Sequence, residues 1–162
     1  AMVKPLVGAC ARGTIRVRGP ADAKAAQPRL EALLRKEAVM IQPYLRSVET
    51  RGELSAIFFN GRLSHALRKI PAAGDYRVMD LFGATEEEHT LSERDEALAR
   101  EVLQRVQGCA ACTLPLYARV DFLWADDGEL VLNEVEMIEP MLFFQRFPDA
   151  ADRFVASLFE RL

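Results

Sequence analysis

The sequence has no apolar run approaching the ~20 residues that a membrane span requires. Its opening, AMVKPLVGAC, lacks the basic stretch, long apolar core and cleavage site of a secretory signal. Positive charge is not in excess: 21 Lys and Arg stand against 24 Asp and Glu, for a formal net charge of -3. That balance excludes a nucleic-acid binder held by charge alone. Cysteine is scarce and odd in number, with 3 in the chain, so a full disulfide framework is excluded and a reducing cytoplasm is the expected compartment. No repeat, linker or low-complexity tract is found. What is present is an ordinary globular composition, with 162 residues, 50% hydrophobic and 28% charged. One domain, or two small lobes, follows from that length.

Punctuation and periodicity place the elements. Met2 to Pro5 reads as a strand with nothing before it to pair with. A small-residue loop follows over 6–14, with Gly8 and Gly13 as its flexible points. Ile15 to Val17 alternates as a short strand. Helix formers run over 21–38, with Leu30, Leu33, Leu34 and Ala38 on one face, and Pro28 inside the segment is a candidate for the true helix start. Val39 to Leu45 is an apolar strand ending in a polar crossover. Asn60-Gly61 joins strands 53–59 and 62–70, since both residues accept positive φ. Tyr76 to Leu81 reads as a short strand, and the acidic stretch 85–89 as a solvated loop. Ser92 with Asp95 opens a helix that stops at Gly108. Strands 117–124 and 129–135 form a second hairpin, and 148–162 a closing helix with Phe154, Val155, Leu158 and Phe159 as its apolar stripe. The order is α+β with mostly antiparallel pairing.

The densest chemical signal lies in the second hairpin, Arg119-Val-Asp121 followed by Asn133-Glu134-Val-Glu136. Residues two apart in a strand share a face. Arg119 and Asp121 therefore point one way, and so do Glu134 and Glu136. If the faces meet, three carboxylates converge beside one arginine, and like charges so placed need a neutralising partner. A hard divalent cation such as Mg²⁺ suits that set of oxygens. The alternative is a solvated hairpin face, and the residues alone leave both open. Lys4 beside the glycine-containing loop can hold phosphates, although the loop is not a Walker A sequence. Gln42 to Leu45, followed by Glu49 and Glu53, can present backbone edge-on to an adenine with a carboxylate for ribose hydroxyls. Arg68, Lys69 and Arg77 form a basic cluster around a flexible loop.

In this order the pieces resemble the ATP-grasp ligase superfamily, in the branch of D-alanine–D-alanine ligase, bacterial glutathione synthetase and the ligases that add glutamate to ribosomal protein. The likeness runs through V-K-P (3–5), Q-P-Y-L (42–45), the hairpin 53–69, P-A-A-G-D-Y-R (71–77), R-V-D (119–121) and N-E-V-E-M-I-E-P (133–140). It implies an antiparallel sheet with helices on one side and the N-terminal part of the fold missing. It also implies a partial nucleotide-binding lobe over 1–45 and a carboxy-terminal lobe with the metal site over 46–162. ATP and Mg²⁺ are the implied cofactors, with two metal ions and Mn²⁺ as an alternative.

The implied roles follow by position. Lys4 meets nucleotide phosphates, and the loop with Gly8 and Gly13 closes over them. Gln42, Tyr44 and Leu45 form the adenine hinge, with Glu49 or Glu53 near the ribose. Arg68, Lys69 and Arg77 meet phosphate or the acceptor carboxylate, and Arg119 steadies the reacting phosphoryl or acyl-phosphate group. Asp121, Glu134 and Glu136 bind the metal. Two departures stand out: Glu136 replaces the family's usual Asn, and Ser55 stands where some relatives have Arg. The implied partners are ATP, a small carboxylate and an amine (or thiol), with a further N-terminal domain expected ahead of Met2. No nucleic acid or membrane partner is expected, and a homodimer is left open. The implied activity is carboxylate–amine ligation through an acyl-phosphate; the alternative is a nucleotide-binding or regulatory module without ligation. Cys109 and Cys112 have no second pair to make a zinc site. His65 reads as packed, His89 as solvated, and Phe143, Phe144 and Phe147 as core.

Overall fold

The computed structural model describes residues 1–110 and 113–162, which divide into two compact units, Ala1–Arg46 and Ser47–Leu162. The C-x-x-C at Cys109 and Cys112 reaches outside the described residues.

The first unit is a three-stranded antiparallel sheet with one helix. Its strands are β1 (Met2–Pro5), β2 (Ile15–Arg16) and β3 (Val39–Gln42), in the order β2-β1-β3. Met2 to Pro5 is therefore the central strand, paired on both edges by segments that follow it. The intervening loop places Cys10, Ala11 and Gly13 at positive φ, whereas Gly8 is not in that region. Helix α1 (Pro20–Leu34) starts earlier than expected and runs through Pro28. Pro20 occupies the first turn, where its missing N–H is no loss. Asp22 accepts from the backbone N–H of Arg18 at 3.1 Å, which anchors that turn. The helix has no buried residue, and Leu34 is 54% exposed, so the apolar face expected over 30–38 is not a core face.

The second unit is built on a five-stranded antiparallel sheet ordered β6-β5-β4-β7-β8. Strands β4 (Glu53–Phe59) and β5 (Arg62–Ile70) are joined at Asn60 (φ 47°) and Gly61 (φ 72°), the pair of positive φ angles that a tight hairpin turn demands. A short helix, α2 (Val48–Arg51), precedes β4. Between them Gly52 has φ 75°, and a Cβ there would lie 2.1 Å from the Lys69 carbonyl oxygen. Only glycine lets the start of β4 come so close to β5. Tyr76 to Leu81 is not a strand. Asp75 Oδ1 accepts from the backbone N–H groups of Tyr76 (2.7 Å) and Arg77 (3.0 Å), which takes those donors away from any ladder, and a 3₁₀ turn follows at Asp80–Phe82. The acidic stretch expected as a loop is instead an edge strand, β6 (Thr85–Glu88). It sets Glu87 opposite Arg68, paired at 2.7 Å, and Glu86 opposite Lys69, so the cross-strand charges are opposite.

Two apolar clusters lie on opposite faces of this sheet. Helix α3 (Glu93–Ala110) packs Ala99, Val102 and Leu103 on Leu54, Ala56 and Phe58 of β4 and on Ala118, Val120, Phe122 and Trp124 of β7 (Tyr117–Trp124). Burying one such phenylalanine contributes about 1.5–3 kcal/mol. The helix opens as expected, with the Asp95 backbone N–H donating to Ser92 Oγ at 3.1 Å, but it continues through Gly108 to Ala110. The opposite face is apolar only at the hairpin end, where Ile57, Phe59 and Leu67 meet Phe143 and helix α4 (Asp149–Phe159). Helices on one side therefore describes α3 alone, because α4 covers that apolar end of the other face. The packed side of α4 carries Ala150, Phe154 and Ser157, so Phe154 alone of the expected stripe lies on it. Val155, Leu158 and Phe159 are 47%, 39% and 68% exposed. Polar ties set this rotation: Asn60 Nδ2 donates to the Ser157 carbonyl at 2.7 Å, and Arg62 pairs with Glu160. His65 is buried, with Nε2 2.9 Å from the Leu142 carbonyl and its ring against Phe147. Among the described residues no helix is long and apolar enough to cross a membrane.

Candidate functional site

The face that α4 leaves uncovered carries charge. Register explains why. Ser55 on β4 lies opposite Asp121 on β7, and Asp121 lies opposite Glu134 on β8 (Leu130–Glu136). Two residues along, Glu53 faces Lys69 across the β4–β5 hairpin, and Arg119 faces Glu136 across the β7–β8 hairpin. Period-two alternation puts all of them on one side of the sheet.

Asp121 is fully buried and heavily hydrogen-bonded. Ser55 Oγ donates to its Oδ1 at 2.5 Å, and Arg119 Nε lies 3.0 Å from both carboxylate oxygens. Lys69 Nζ is 3.6 Å from Oδ1 and also pairs with Glu53, whose Oε2 accepts from Asn133 Nδ2 at 2.7 Å. Burial pushes the Glu53 carboxyl above its ordinary value, against the pull of the Lys69 ammonium. Burial would lower Lys69, but Glu53 and Asp121 outweigh it and hold the ammonium above its usual range. Arg119 also pairs with Glu136.

One ligand oxygen from each of Asp121, Glu134 and Glu136 can lie within 4.8 Å of the others. Carboxylates outnumber cations here, with Asp121, Glu134, Glu136 and Glu53 set against Lys69 and Arg119. Hard oxygens, an excess of negative charge, and the exposure of Glu134 with the partial exposure of Glu136 suit a hard divalent cation. The donor set fits magnesium.

The other expected residues sit on other elements. Arg77 is held in its own loop, bonded to Asp75 through Nη2 at 2.6 Å and stacked over the Phe82 ring at 3.7 Å. Its side-chain bond holds the Asp75 carboxyl well below the carboxylate range. Glu49 is exposed on α2. In the first unit, Lys4 sits on β1 opposite Met40, and Gln42 ends β3 opposite Met2. The Tyr44 ring lies 4.2 Å beneath the Arg16 guanidinium, and Leu45 is half-buried. Gly8 and Gly13 lie in the loop after β1.

Two site residues escaped the sequence reading of roles. Ser55 is the polar position in an otherwise apolar run, Leu54 to Phe59, and that contrast was its signal. Asn133 gave none, because its direction depends on a β-bulge.

Known proteins are similar to this chain in sequence and fold. Residues 1–111 match the family of the prokaryotic glutathione synthetase ATP-grasp domain. The cycloserine biosynthesis protein DcsG of Streptomyces lavendulae is 30% identical over 99% of this chain and 54% of its own length. The chain thus spans about half the length of the curated relative it matches. The crystal structure of the D-cycloserine synthetase DcsG superposes with a TM-score of 0.83, at 28% identity over 99% of this chain and 55% of that one. A D-alanine–D-alanine ligase from Bacillus anthracis shares the fold at TM-score 0.66, with 21% identity over 98% of this chain and 53% of the other. So does the ATP-grasp ligase PsnB, solved with Mg and ADP, at TM-score 0.64 and 22% identity over 96% of this chain and 46% of that one. With that family match covering well over half of its length, the chain belongs to the ATP-grasp ligase superfamily, in the family of the prokaryotic glutathione synthetase ATP-grasp domain.

Proposed function

We propose that this chain is the ATP-grasp portion of an ATP- and Mg²⁺-dependent ligase that joins a carboxylate to an amine (or a thiol), acting in the cytoplasm. Family membership supports the ligase reading, and one observation carries it to these residues: Asp121, Glu134 and Glu136 offer oxygens within 4.8 Å of one another beside the buried Arg119.

In this reading a substrate carboxylate oxygen attacks the γ-phosphorus of ATP, and ADP leaves. The amine then attacks the carbonyl carbon of the acyl-phosphate, losing a proton as phosphate departs. Asp121, Glu134 and Glu136 would hold Mg²⁺ (two ions, or Mn²⁺ in its place), which would supply charge neutralisation to the phosphate oxygens. The chain's own share is positioning and charge compensation rather than covalent catalysis. Arg119 offsets charge that develops on the transferred phosphoryl group. Lys4 and the loop with Gly8 and Gly13 bind the phosphates. Gln42, Tyr44 and Leu45 present the adenine edge, with Glu49 or Glu53 toward the ribose. Arg77 meets phosphate or acceptor carboxylate once released from Asp75, and Lys69 keeps the acidic cluster compensated. The partners are ATP, a small carboxylate, an amine and a further N-terminal domain.

Calorimetric titration of the chain with ATP and Mg²⁺ tests this. Asp121→Asn and Glu134→Gln are expected to weaken Mg²⁺-dependent ATP binding strongly while the fold persists. Wild-type binding by both folded variants overturns the reading. ADP release from ATP and Mg²⁺ in the presence of paired amino acids tests the ligase step itself.

A further inference from the structure

Strand β8 has one residue more than its partner. Phe122 lies opposite Leu132 and Asp121 opposite Glu134, which leaves Asn133 as the extra residue of a β-bulge. In an unbulged strand Asn133 and Glu134 would point to opposite faces. The Asn133 amide instead reaches the carboxylate side, across β7, and donates to Glu53 Oε2 on β4 at 2.7 Å. Glu53, 5% exposed, pairs with Lys69, and Lys69 Nζ is 3.6 Å from Asp121 Oδ1. Asp121 is in turn the register partner of Glu134, the residue after Asn133. The contacts close a ring: Asn133, Glu53, Lys69, Asp121, Glu134 and back through one peptide bond.

We propose that Asn133 is a positioning residue for the metal site, tying the β8 bulge to the buried Glu53–Lys69 pair so that the Glu134 carboxylate is aimed at Asp121. The inference rests on the reading of Asp121 and Glu134 as metal ligands. The reason is geometric. The bulge interrupts the strand's regular alternation, so the direction of the next side chain needs another constraint. The bond to Glu53 supplies it, and Glu53 is itself fixed by a buried cation. Residues that orient metal ligands from behind typically change metal affinity by about 10–100-fold when altered.

The experiment is a Mn²⁺ titration of the 162-residue chain by electron paramagnetic resonance, with and without ADP, alongside thermal melting. Asn133→Leu, which keeps the volume and removes the donor, is expected to weaken Mn²⁺ binding about 10–100-fold with little change in Tm. Asn133→Asp sets a second carboxylate against Glu53 and is expected to weaken it further. Adding Glu53→Gln to Asn133→Asp restores a donor–acceptor pair and is expected to recover part of the loss, which general loosening would not do. Should Asn133→Leu fail to fold, the Asn133→Asp pair of variants decides alone, and absence of recovery overturns the proposal. Mn²⁺ binding unchanged in Asn133→Leu but lost in Glu134→Gln overturns the positioning role and leaves the metal reading intact. Wild-type binding in both Asp121→Asn and Glu134→Gln, or no Mn²⁺ binding by the unaltered chain, overturns the metal reading and this inference with it.

Discussion

Ser55 Oγ donates a hydrogen bond of 2.5 Å to Asp121 Oδ1, between two side chains with no exposed surface. The pair joins the strand that carries the aspartate to the centre of the sheet. A buried carboxylate needs all its donors, because each one lost leaves desolvated charge behind.

Ser55→Ala removes one of those donors and creates no large cavity. The expected loss of stability is about 1–3 kcal/mol, with Ser55→Thr closer to wild type because it keeps the hydroxyl. Urea unfolding of the two variants checks this; equal stability of Ala and wild type would count against the bond's importance.

Lys69 is the cation between two buried carboxylates. Lys69→Met leaves the buried Glu53 without its cation and Asp121 with Arg119 alone, and is expected to destabilise by about 3–5 kcal/mol. Lys69→Arg retains the charge and is expected to lose much less. Denaturant midpoints at neutral pH give the comparison, and a Met variant as stable as wild type would show that the site tolerates its acids without this lysine.

His65 gives the fold an acid-sensitive point. Burial, partly opposed by the Leu142 carbonyl bond, pushes its imidazole down from 6.5 to about 4. Between those values the unfolded chain binds the extra proton and the folded chain does not. Stability from this group is therefore full above about pH 6.5 and is lost as pH falls toward 4. Unfolding free energy measured from pH 4 to 7 is expected to rise across that window, and His65→Gln is expected to flatten the rise. An unchanged slope in the variant would contradict the assignment.

The rotation of α4 is also testable. Phe154 packs with Phe59 at a ring separation of 5.4 Å, whereas Phe159 is 68% exposed. Phe154→Ala is expected to cost about 3–5 kcal/mol. Phe159→Ser is expected to fall within about 0.5 kcal/mol of wild type. Thermal melting of both distinguishes this rotation from one that buries 155, 158 and 159.

How far the fold could be read in the chain depended on the range of the interactions involved. The hairpin at 53–70 was legible because Asn60-Gly61 and the flanking alternation are local. Strand parity put Arg119 with Asp121 and Glu134 with Glu136, but the meeting of the two pairs depends on the bulge at Asn133, without which Glu134 would lie opposite Val120. The edge strand at 85–88 was not legible: three consecutive glutamates carry no strand signal, and their charge is met by residues distant in the chain, Glu87 by Arg68 and Glu86 by Arg146. Pro28 gave a misleading signal, because its helix had already started at Pro20.

The amino-acid order by itself determined the hairpins, the family and the set of acidic residues, since each rests on near neighbours and on residue chemistry. Only the tertiary structure decided which of those acids share a buried ion network, which face of α4 is covered, and where Asn133 points. Those outcomes depend on register between strands distant in the chain and on one bulged residue, and a shift of a single position would send each side chain to the other face.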